Sequence, residues 1–201
     1  AWMGLRFGIA IVTLRLRHRT NNTATRGATH PPTTLMLLSL ALDLGTTSIA
    51  AIAVDPDGRI VSSVQRPNTA TVPDLPAGHA EQDPQRIRQV VVEVLSELAR
   101  DLPGTPAGLG LTGQMHGVLL TDAARRPLTC LITWQDRRAN EAADAEQTSS
   151  WLDQFLLSCP ETDLVSTGAR PAPGYMGVTL AMLIASDAIP ESTSGASFLA
   201  D

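Results

Sequence analysis

The chain has 201 residues with 43% hydrophobic and 3% aromatic content, which suffices for one large domain with a core of Ala, Leu, Val and Ile. All 15 basic residues are Arg, and five of them lie in residues 1–34, where no acidic residue occurs. The remainder carries 10 Arg against 20 acidic residues, a net charge of −10. This balance argues against nucleic acid and anionic membranes as partners, and the lack of Lys excludes a lysine-based mechanism within these residues.

The cysteines and the apolar runs bear on the cellular location. Cys130 and Cys159 lack metal-ligand spacing and favour buried thiols in a reducing compartment. No apolar run reaches the ~18 residues that a membrane span needs. Arginines follow the apolar segment 7–14, where a signal peptide would have small residues. We therefore predict a cytoplasmic protein.

Residues 1–35 are predicted to be a disordered basic extension, because they are rich in Arg, Thr and Asn and have no usable periodicity. Met36 directly precedes the first strongly apolar segment of the remaining domain, 36–201. We hypothesise that Met36 is the natural start. N-terminal sequencing of protein made from the native gene tests this, and a mature protein that begins well before Met36 would refute it.

Residues 38–55 predict a strand, a tight turn and a second strand, because two apolar runs flank an acidic residue, a glycine and three hydroxyls. Gly45 lets a ligand approach the backbone, and the hydroxyl residues 46–48 supply donors for anionic oxygens. Asp43 ends the first strand, where a single carboxylate can hold a hydrated Mg²⁺. An ordinary hairpin with a polar turn fits the same residues.

The next segments predict a meander and a helix. A turn at 55–58 leads to a third antiparallel strand over 59–65, so that the second and third strands lie outside the first. Asp83 is the expected N-cap of a helix with Pro84 at its first position. One apolar stripe recurs at helical spacing and predicts that the helix packs on the sheet: Ile87, Val90, Val91, Val94, Leu95 and Leu98.

Residues 107–112 predict a short buried strand, and residues 118–122 predict another. A strand that follows the helix favours a right-handed crossover onto a parallel neighbour of the first strand. Ligands gather at the carboxyl ends of such strands. We therefore expect residues 43–47 and 113–117 at one edge of the sheet.

The last third of the chain is less regular. Residues 140–147 have a loose helical pattern, and Trp151, Leu152 and Phe155 mark a short amphipathic helix. Residues 166–175 are predicted to be loop, and residues 178–184 an apolar helix.

Four motifs in this order resemble the amino-terminal domain of the FGGY carbohydrate kinases. They are Leu42-Asp43-Leu44-Gly45-Thr46-Thr47-Ser48, Glu81-Gln82-Asp83-Pro84, Thr112-Gly113-Gln114-Met115-His116-Gly117 and Trp134-Gln135-Asp136-Arg137-Arg138. The run 131–136 and the later Thr167-Gly168, Pro173-Gly174-Tyr175 and Thr179-Leu180 resemble the sedoheptulokinase-like branch more than the glycerol kinases, with the xylulokinases close to it. The resemblance covers roughly residues 36–185.

The resemblance implies an α/β fold of the ribonuclease-H-like type found in actin and the sugar kinases, with a mixed sheet and flanking helices. The family has two such domains, and the sugar and ATP meet between them; this chain is expected to be an incomplete first domain. The residues implied to face the ATP phosphates are Asp43, Gly45, Thr46 and Thr47, with Mg²⁺ at Asp43. The residues implied to line the sugar side are Gln114, Met115, His116, Trp134, Asp136 and Arg138.

These residue types suit a polyhydroxylated sugar. Asp136 can accept from two hydroxyls, Arg138 and Gln114 can donate, and Trp134 offers an apolar face. Each also has a structural interpretation. Met115 and Trp134 can be core residues, and His116, next to a glycine, can be a hydrogen-bonded structural residue. Asp136 with Arg138 can be a surface pair of little energetic value. Together, in the family's order, they favour the functional interpretation.

Two departures from the family bear on activity. Many relatives carry Lys or Arg seven residues after the motif aspartate, where this chain has Ala50, so a cation is missing where negative charge develops. The family's general base is an Asp later in the first domain, and its adenosine site lies in the second; neither is expected before Asp201. We therefore predict that the isolated chain does not turn over ATP with xylulose, ribulose or sedoheptulose.

Three functional hypotheses stay open. In the first, the chain is the amino-terminal part of an ATP-dependent kinase that phosphorylates a primary hydroxyl of a ketose, and a separate chain supplies the second domain. In the second, it is a non-catalytic sugar-binding fragment or pseudogene product. A different actin-fold scaffold or ATPase is disfavoured by the Gln-Met-His and Trp-Gln-Asp motifs. A downstream reading frame with the missing Asp and adenosine motifs would favour the first hypothesis.

Overall fold

The computed structural model describes residues 11–12, 36–143 and 149–198. The strands, in chain order, are β1 (Ile11–Val12), β2 (Leu37–Leu44), β3 (Ser48–Val54), β4 (Ile60–Pro67), β5 (Glu81–Gln82), β6 (Thr105–Gly113), β7 (Leu119–Thr121), β8 (Leu131–Ile132) and β9 (Gly195–Ser197). The α-helices are α1 (Pro84–Leu98), α2 (Trp151–Ser158), α3 (Glu161–Thr167) and α4 (Met176–Ala185). None of these helices combines the length and the apolar character that crossing a membrane requires.

The main sheet is mixed and has the strand order β1-β6-β2-β3-β4. Strands β2, β3 and β4 form the predicted antiparallel meander, and β6 returns parallel to β2 after α1, which confirms the predicted crossover. Most of the predicted disordered extension lies outside the described residues. Ile11–Val12 pairs antiparallel with β6, which the sequence did not predict.

Helix α1 covers one face of this sheet. The Asp83 carboxylate caps it by accepting from the Gln85 N–H at 2.7 Å, as predicted. Four residues of the predicted stripe are buried, and the core of this half comprises Leu42, Leu44, Ile49, Ala51, Ala53, Ala70, Ile87, Val90, Val94, Leu98, Leu119 and Leu131. Each buried Leu, Ile or Val side chain stabilises the fold by about 1.5–3 kcal/mol.

The other face of the sheet carries Asp43. Side chains alternate along a strand, so Asp43 lies opposite in direction to the buried Leu42 and Leu44. Asp43 is paired in register with Ala50 on β3 and with Thr112 on β6. The predicted Mg²⁺ ligand and the residue that replaces the family's cation are therefore direct cross-strand neighbours.

A second core lies between the small sheets and α2 and α4. It comprises Val118, Leu120, Ile132, Ala139, Val178, Met182 and Leu183. Strand β9 pairs with β7, and β5 pairs with β8, neither of which the sequence predicted. The β5–β8 pair brings Glu81–Gln82 next to Leu131–Ile132, and this contact positions the site described below.

The sequence predictions for the last third of the chain are partly confirmed. Helices α2 and α4 occur where apolar periodicity predicts them. The predicted helix 140–147 is wrong in its described part, because a 3₁₀ turn ends at Asn140 and Ala142 then forms a β-bridge to Ser150. The end of α3 occupies the first residues of the predicted loop 166–175.

Candidate functional site

The turn between β2 and β3 is held from inside the protein through its carbonyl groups. The Gly45 carbonyl accepts from Asn68 Nδ2 at 2.9 Å, and the Thr46 carbonyl accepts from Gln82 Nε2 at 2.8 Å. The Thr47 carbonyl accepts from the backbone N–H of Asn68 at 2.9 Å. Three consecutive carbonyls therefore point into the fold.

The N–H groups of this turn point the other way. In a trans peptide the carbonyl and the following N–H are antiparallel, so inward carbonyls at Gly45 and Thr46 direct the N–H groups of Thr46 and Thr47 outward. Neither N–H has a hydrogen-bond partner among the described residues. Successive outward N–H groups form a concavity that suits anionic oxygens.

Gly45 is required by close approach of the backbone. A Cβ atom at this position would lie 2.7 Å from the carbonyl oxygen of Ser48, a distance that real Cβ atoms essentially never show, and 3.7 Å from Asp43 Oδ2. The glycine therefore permits the tight turn, and the Asp43 carboxylate flanks it.

Asp43 is exposed and has no side-chain partner in the part of the chain that the structure describes. No group of three His, Cys, Asp or Glu side chains that could enclose a metal occurs in that part either. A single free carboxylate beside a turn with outward N–H groups fits Mg²⁺, which keeps most of its water ligands and takes one or two carboxylates together with phosphate oxygens.

The ends of β2 and β6 meet at one edge of the sheet, as predicted. The Gln114 N–H donates to the Leu44 carbonyl at 3.0 Å and so extends the parallel ladder by one residue. The Thr46 hydroxyl then donates to Gln114 Oε1 at 3.0 Å. The turn after β2 and the Gln-Met-His motif are thus in direct contact.

Trp134 joins the same edge from the turn after β8. Its indole Nε1 donates to Thr46 Oγ1 at 2.9 Å, and 40% of the residue is exposed. Trp134 is therefore not a core residue: one edge of the ring is fixed by the turn between β2 and β3 while a large part of its surface stays accessible.

Met115, His116 and Tyr175 form a second accessible surface at the end of β6. The rings of His116 and Tyr175 stack at a centroid distance of 4.1 Å and an interplanar angle of 5°. Met115 is 59% exposed and Tyr175 is 37% exposed. His116 has φ 66°, in the left-handed region that few non-glycine residues adopt. Exposed Met115 does not act as core filler.

Tyr175 was part of the resemblance but was not predicted as a site residue. Its neighbour Gly174 has φ 80°, and a Cβ there would lie 2.2 Å from the carbonyl oxygen of Trp134. The Gly174 backbone therefore packs directly on the Trp-Gln-Asp motif, which brings Tyr175 to the site. The Pro173-Gly174 pair is the sequence signal for this close approach.

Asp136 is in a different environment from Asp43, because it is 0% exposed. Its Oδ2 accepts from the Ala80 N–H at 2.7 Å and from the Arg138 guanidinium at 2.8 Å. Its Oδ1 accepts from the Arg138 N–H at 2.9 Å and from Arg138 Nε at 3.0 Å. Four donors fill the carboxylate, so the predicted contact with two sugar hydroxyls requires some of them to be exchanged.

Arg138 is committed to the same cluster. It also donates to Glu81 Oε1 at 2.5 Å, and its side chain is 14% exposed. Burial lowers the pKa of Arg138, but the hydrogen bonds to Asp136 and Glu81 outweigh burial, so the pKa lies above its ordinary value. The guanidinium is a permanent cation that ties the turn after β8 to β5.

Gln82 is the functional candidate that sequence reasoning missed. From the sequence it lies at the helix start and in one of the four family motifs, with no role predicted for its side chain, yet that side chain contacts the turn between β2 and β3 and Gln114. A cleft of about 300 Å³ opens beside it, with Thr47, Asn68, His79, Thr133 and Gln135 among its lining residues. A larger groove of about 760 Å³ lies between α1 and the β7–β9 pair and contains none of the predicted site residues.

Comparison with known proteins agrees with this arrangement. Residues 38–156 match the model of the FGGY family of carbohydrate kinases, N-terminal domain. A glycerol kinase of Gloeobacter violaceus is 38% identical over 113 residues, which cover 56% of this chain and 22% of the relative. A sedoheptulokinase of Mus musculus is 31% identical over 150 residues, which cover 63% of this chain and 29% of the relative.

The fold is shared as well. The crystal structure of a xyloylose kinase from Brucella ovis aligns with a TM-score of 0.68 at 26% identity, over 82% of this chain and 32% of that chain. The predicted mixed α/β sheet with flanking helices, of the sugar-kinase type, is therefore confirmed. The chain spans less than a third of the length of each of these three proteins. With its motif-bearing residues inside the matched segment, the chain belongs to the FGGY family of carbohydrate kinases.

Proposed function

We propose that this chain supplies the phosphate-facing turn and part of the sugar-facing surface of an ATP-dependent kinase that phosphorylates a primary hydroxyl of a ketose. The observation that carries the proposal is the hydrogen bond between the Trp134 indole and the Thr46 hydroxyl. It joins the exposed Trp134 ring to the turn whose N–H groups point outward. An acceptor sugar on the ring and phosphates at the turn would then lie side by side, which supports phosphoryl transfer because its catalysis is mostly positioning and charge neutralisation.

The phosphate side of the proposed site is the turn 45–47. Its outward N–H groups at Thr46 and Thr47 would donate to phosphate oxygens of ATP. Asp43 would hold Mg²⁺ through its water shell, and the ion would neutralise charge on the phosphates. Ala50 supplies no cation at the position directly across from Asp43.

The sugar side comprises the exposed surfaces of Trp134, Met115 and the stacked His116–Tyr175 pair. Aromatic faces suit the C–H side of a sugar, and His116 and the second N–H of the Gln114 amide have hydrogen-bonding capacity for hydroxyls. Asp136 and Arg138 are proposed to fix the Trp134 turn and to contact the sugar only where a hydroxyl replaces one of their mutual hydrogen bonds.

In the proposed reaction the sugar hydroxyl oxygen attacks the γ-phosphorus of ATP, the bond to ADP breaks, and the hydroxyl proton passes to a base. By the family resemblance, that base and the adenosine site are proposed to come from polypeptide beyond these 201 residues, either downstream or on a separate chain. The 201-residue chain alone is then inactive. ATP as donor fits the predicted cytoplasmic location.

The most specific part of the proposal is the choice of substrate. The relatives include proteins named glycerol kinase, sedoheptulokinase and xylulose kinase. We favour a ketose, because the run 131–136 and the later Thr-Gly and Pro-Gly-Tyr motifs resemble the sedoheptulokinase-like branch. Glycerol is the competing substrate that an experiment must include.

Binding to the 201-residue chain tests the proposal. Sedoheptulose, D-xylulose, glycerol and magnesium tripolyphosphate are titrated separately, and the indole N–H resonance of Trp134 is followed by NMR, with Trp134→Phe to identify it. We expect a ketose and magnesium tripolyphosphate each to shift the resonance, and ATP to yield no ADP. A resonance that none of the four compounds moves at millimolar concentration contradicts the proposal, and a response to glycerol alone contradicts the ketose assignment.

A further inference from the structure

We propose that Gln82 is a positioning residue for phosphoryl transfer: its side-chain amide holds the phosphate-facing turn 45–47 and the sugar-facing Gln114 amide in one fixed orientation. The inference rests on the proposed function and adds a residue that contacts neither substrate. Gln82 is 2% exposed and lies at the end of β5, directly before the Asp83 cap of α1.

The contacts of Gln82 join the two sides of the site. Its Nε2 donates to the Thr46 carbonyl at 2.8 Å. Its Oε1 accepts from Gln114 Nε2 at 2.8 Å and, more weakly, from Asn68 Nδ2 at 3.4 Å. One buried amide therefore contacts the phosphate-facing turn, Gln114 at the end of β6, and Asn68, which also holds the turn.

These bonds close a ring of three residues. Gln82 bonds to the Thr46 carbonyl and to Gln114, while the Thr46 hydroxyl returns to Gln114 Oε1 at 3.0 Å. Trp134 then donates to the Thr46 hydroxyl. In this ring the Gln82 NH₂ must donate and the Gln82 oxygen must accept. If the amide were rotated by 180°, its NH₂ would face the Gln114 NH₂ and its oxygen would face the Thr46 carbonyl, and both hydrogen bonds would be lost. The ring therefore fixes both amides.

The ring decides what the turn presents to solvent. With the Thr46 carbonyl bonded to Gln82, the N–H of Thr47 must point outward, as an anion requires. Without that donor the part-buried carbonyl is an acceptor with no protein partner, which costs up to about 1–3 kcal/mol, so rotation of the 46–47 peptide toward solvent becomes more favourable. A rotated peptide would direct a carbonyl oxygen at the phosphates.

The same ring connects the two substrates. The Thr46 hydroxyl is shared between Gln114 and the Trp134 indole, and Trp134 offers its exposed surface to the sugar. A change at Gln82 therefore alters the environment of the Trp134 N–H, 52 positions along the chain, without any contact between the two side chains. A purely space-filling role of Gln82 does not predict such a change.

The test compares Gln82→Met with Gln85→Met in the 201-residue chain. Both substitutions replace an amide by a thioether, but Gln85 is exposed in the first turn of α1 and its side chain forms no hydrogen bond among the described residues. We expect Gln82→Met to shift the Trp134 indole resonance and to weaken magnesium tripolyphosphate binding about tenfold. Gln85→Met should leave both unchanged.

A second variant at the same position separates loss of the hydrogen bond to Thr46 from loss of the fold. Gln82→Glu keeps the size of the side chain and the acceptor for Gln114 but removes the donor to Thr46, and Gln85→Glu controls for its charge. If both Gln82 variants lose the folded state by thermal melting while both Gln85 variants keep it, the amide is a structural requirement and the proposal is overturned.

The remaining outcomes separate this inference from the proposed function. If the wild-type chain binds magnesium tripolyphosphate and a ketose, but folded Gln82→Met binds them equally and leaves the Trp134 resonance in place, only the positioning role is overturned. If the wild-type chain responds to neither compound, the proposed function fails and the role of Gln82 fails with it.

Discussion

The two motif aspartates, Asp43 and Asp136, have the same side chain and opposite environments. Asp43 is exposed, flanks a turn with outward N–H groups, and has no partner among the residues that the structure describes. Asp136 is fully buried, and four N–H donors fill its two oxygens. The first carboxylate is available for a cation, and the second holds the fold around the site.

Asp43 and Asp136 both lie in family motifs, yet one is free to bind a ligand and the other is used in the fold. Occurrence in a motif therefore does not decide which of the two a residue does. Two Asp-Arg pairs with the same spacing make the point again: Asp57 and Arg59 form an exposed ion pair at 2.9 Å, whereas Asp136 and Arg138 form a buried one at 2.8 Å. An exposed pair contributes little, since water solvates both charges, while removing one partner of a buried pair strands the other.

The largest expected effect is on stability at Asp136. Asp136→Ala leaves the Ala80 N–H without its acceptor and leaves the Arg138 guanidinium with Glu81 as its remaining partner, which should lower the free energy of unfolding by about 3 kcal/mol. For a chain of this size the melting temperature should fall by roughly 10 °C. Asp57→Ala, which breaks the exposed pair of the same spacing, should cost less than about 1 kcal/mol. Equal losses in the two variants would remove the distinction between the two pairs.

The next effect concerns the shape of the turn. Gly45→Ala places a Cβ 2.7 Å from the Ser48 carbonyl oxygen, so the backbone must shift, at a cost of about 1–3 kcal/mol. Binding of magnesium tripolyphosphate, measured by calorimetry, should weaken together with stability. Gly108→Ala is the matched control, because a Cβ there meets no atom within 4 Å. Unchanged binding in a stable Gly45→Ala variant would show that the turn is not the anion site.

A smaller effect separates binding from stability at Asp43. Asp43→Asn removes the free carboxylate, so magnesium tripolyphosphate should bind about tenfold more weakly, or about 1.4 kcal/mol. Stability should change by less than about 0.5 kcal/mol, because the side chain has no partner to lose. The control is Asp101→Asn, at another exposed carboxylate. If the loss of affinity persists when Mg²⁺ is omitted, Asp43 does not act through the metal.

The smallest effect is a gain. Ala50→Arg puts a cation on β3 at the position paired with Asp43 on β2, within reach of the turn. It should tighten tripolyphosphate binding by about threefold to fivefold through charge-assisted hydrogen bonds. Ser63→Arg adds the same charge on the same face of the sheet, farther from the turn. A similar gain in both variants would mean that net charge, and not the position of residue 50, limits affinity.

Local signals in the sequence determined a large part of the fold. The apolar runs around Gly45, the Asp83 cap and the helical stripe up to Leu98 specify a meander, a helix and a parallel return strand. Each of these signals depends on neighbours within a few residues, and helix and strand periodicity register them directly. The meeting of residues 43–47 with residues 113–117 then follows from the parallel pairing of β2 with β6, because parallel strands end at the same edge of a sheet.

Only the tertiary structure decided which side chains are free. Asp136 accepts three hydrogen bonds from Arg138, two positions along the chain, and a fourth from Ala80, which lies 56 positions earlier. Gln82 reaches Thr46 across 36 positions. Both distant donors lie in or beside β5, which pairs with β8 in a two-residue ladder. So short a pair leaves no periodic pattern in the sequence. The local Asp-Arg spacing does not decide the environment, because Asp57 and Arg59 have the same spacing as Asp136 and Arg138 and stay exposed. Burial of Asp136 and its fourth donor from Ala80 depend on packing, which no local pattern records.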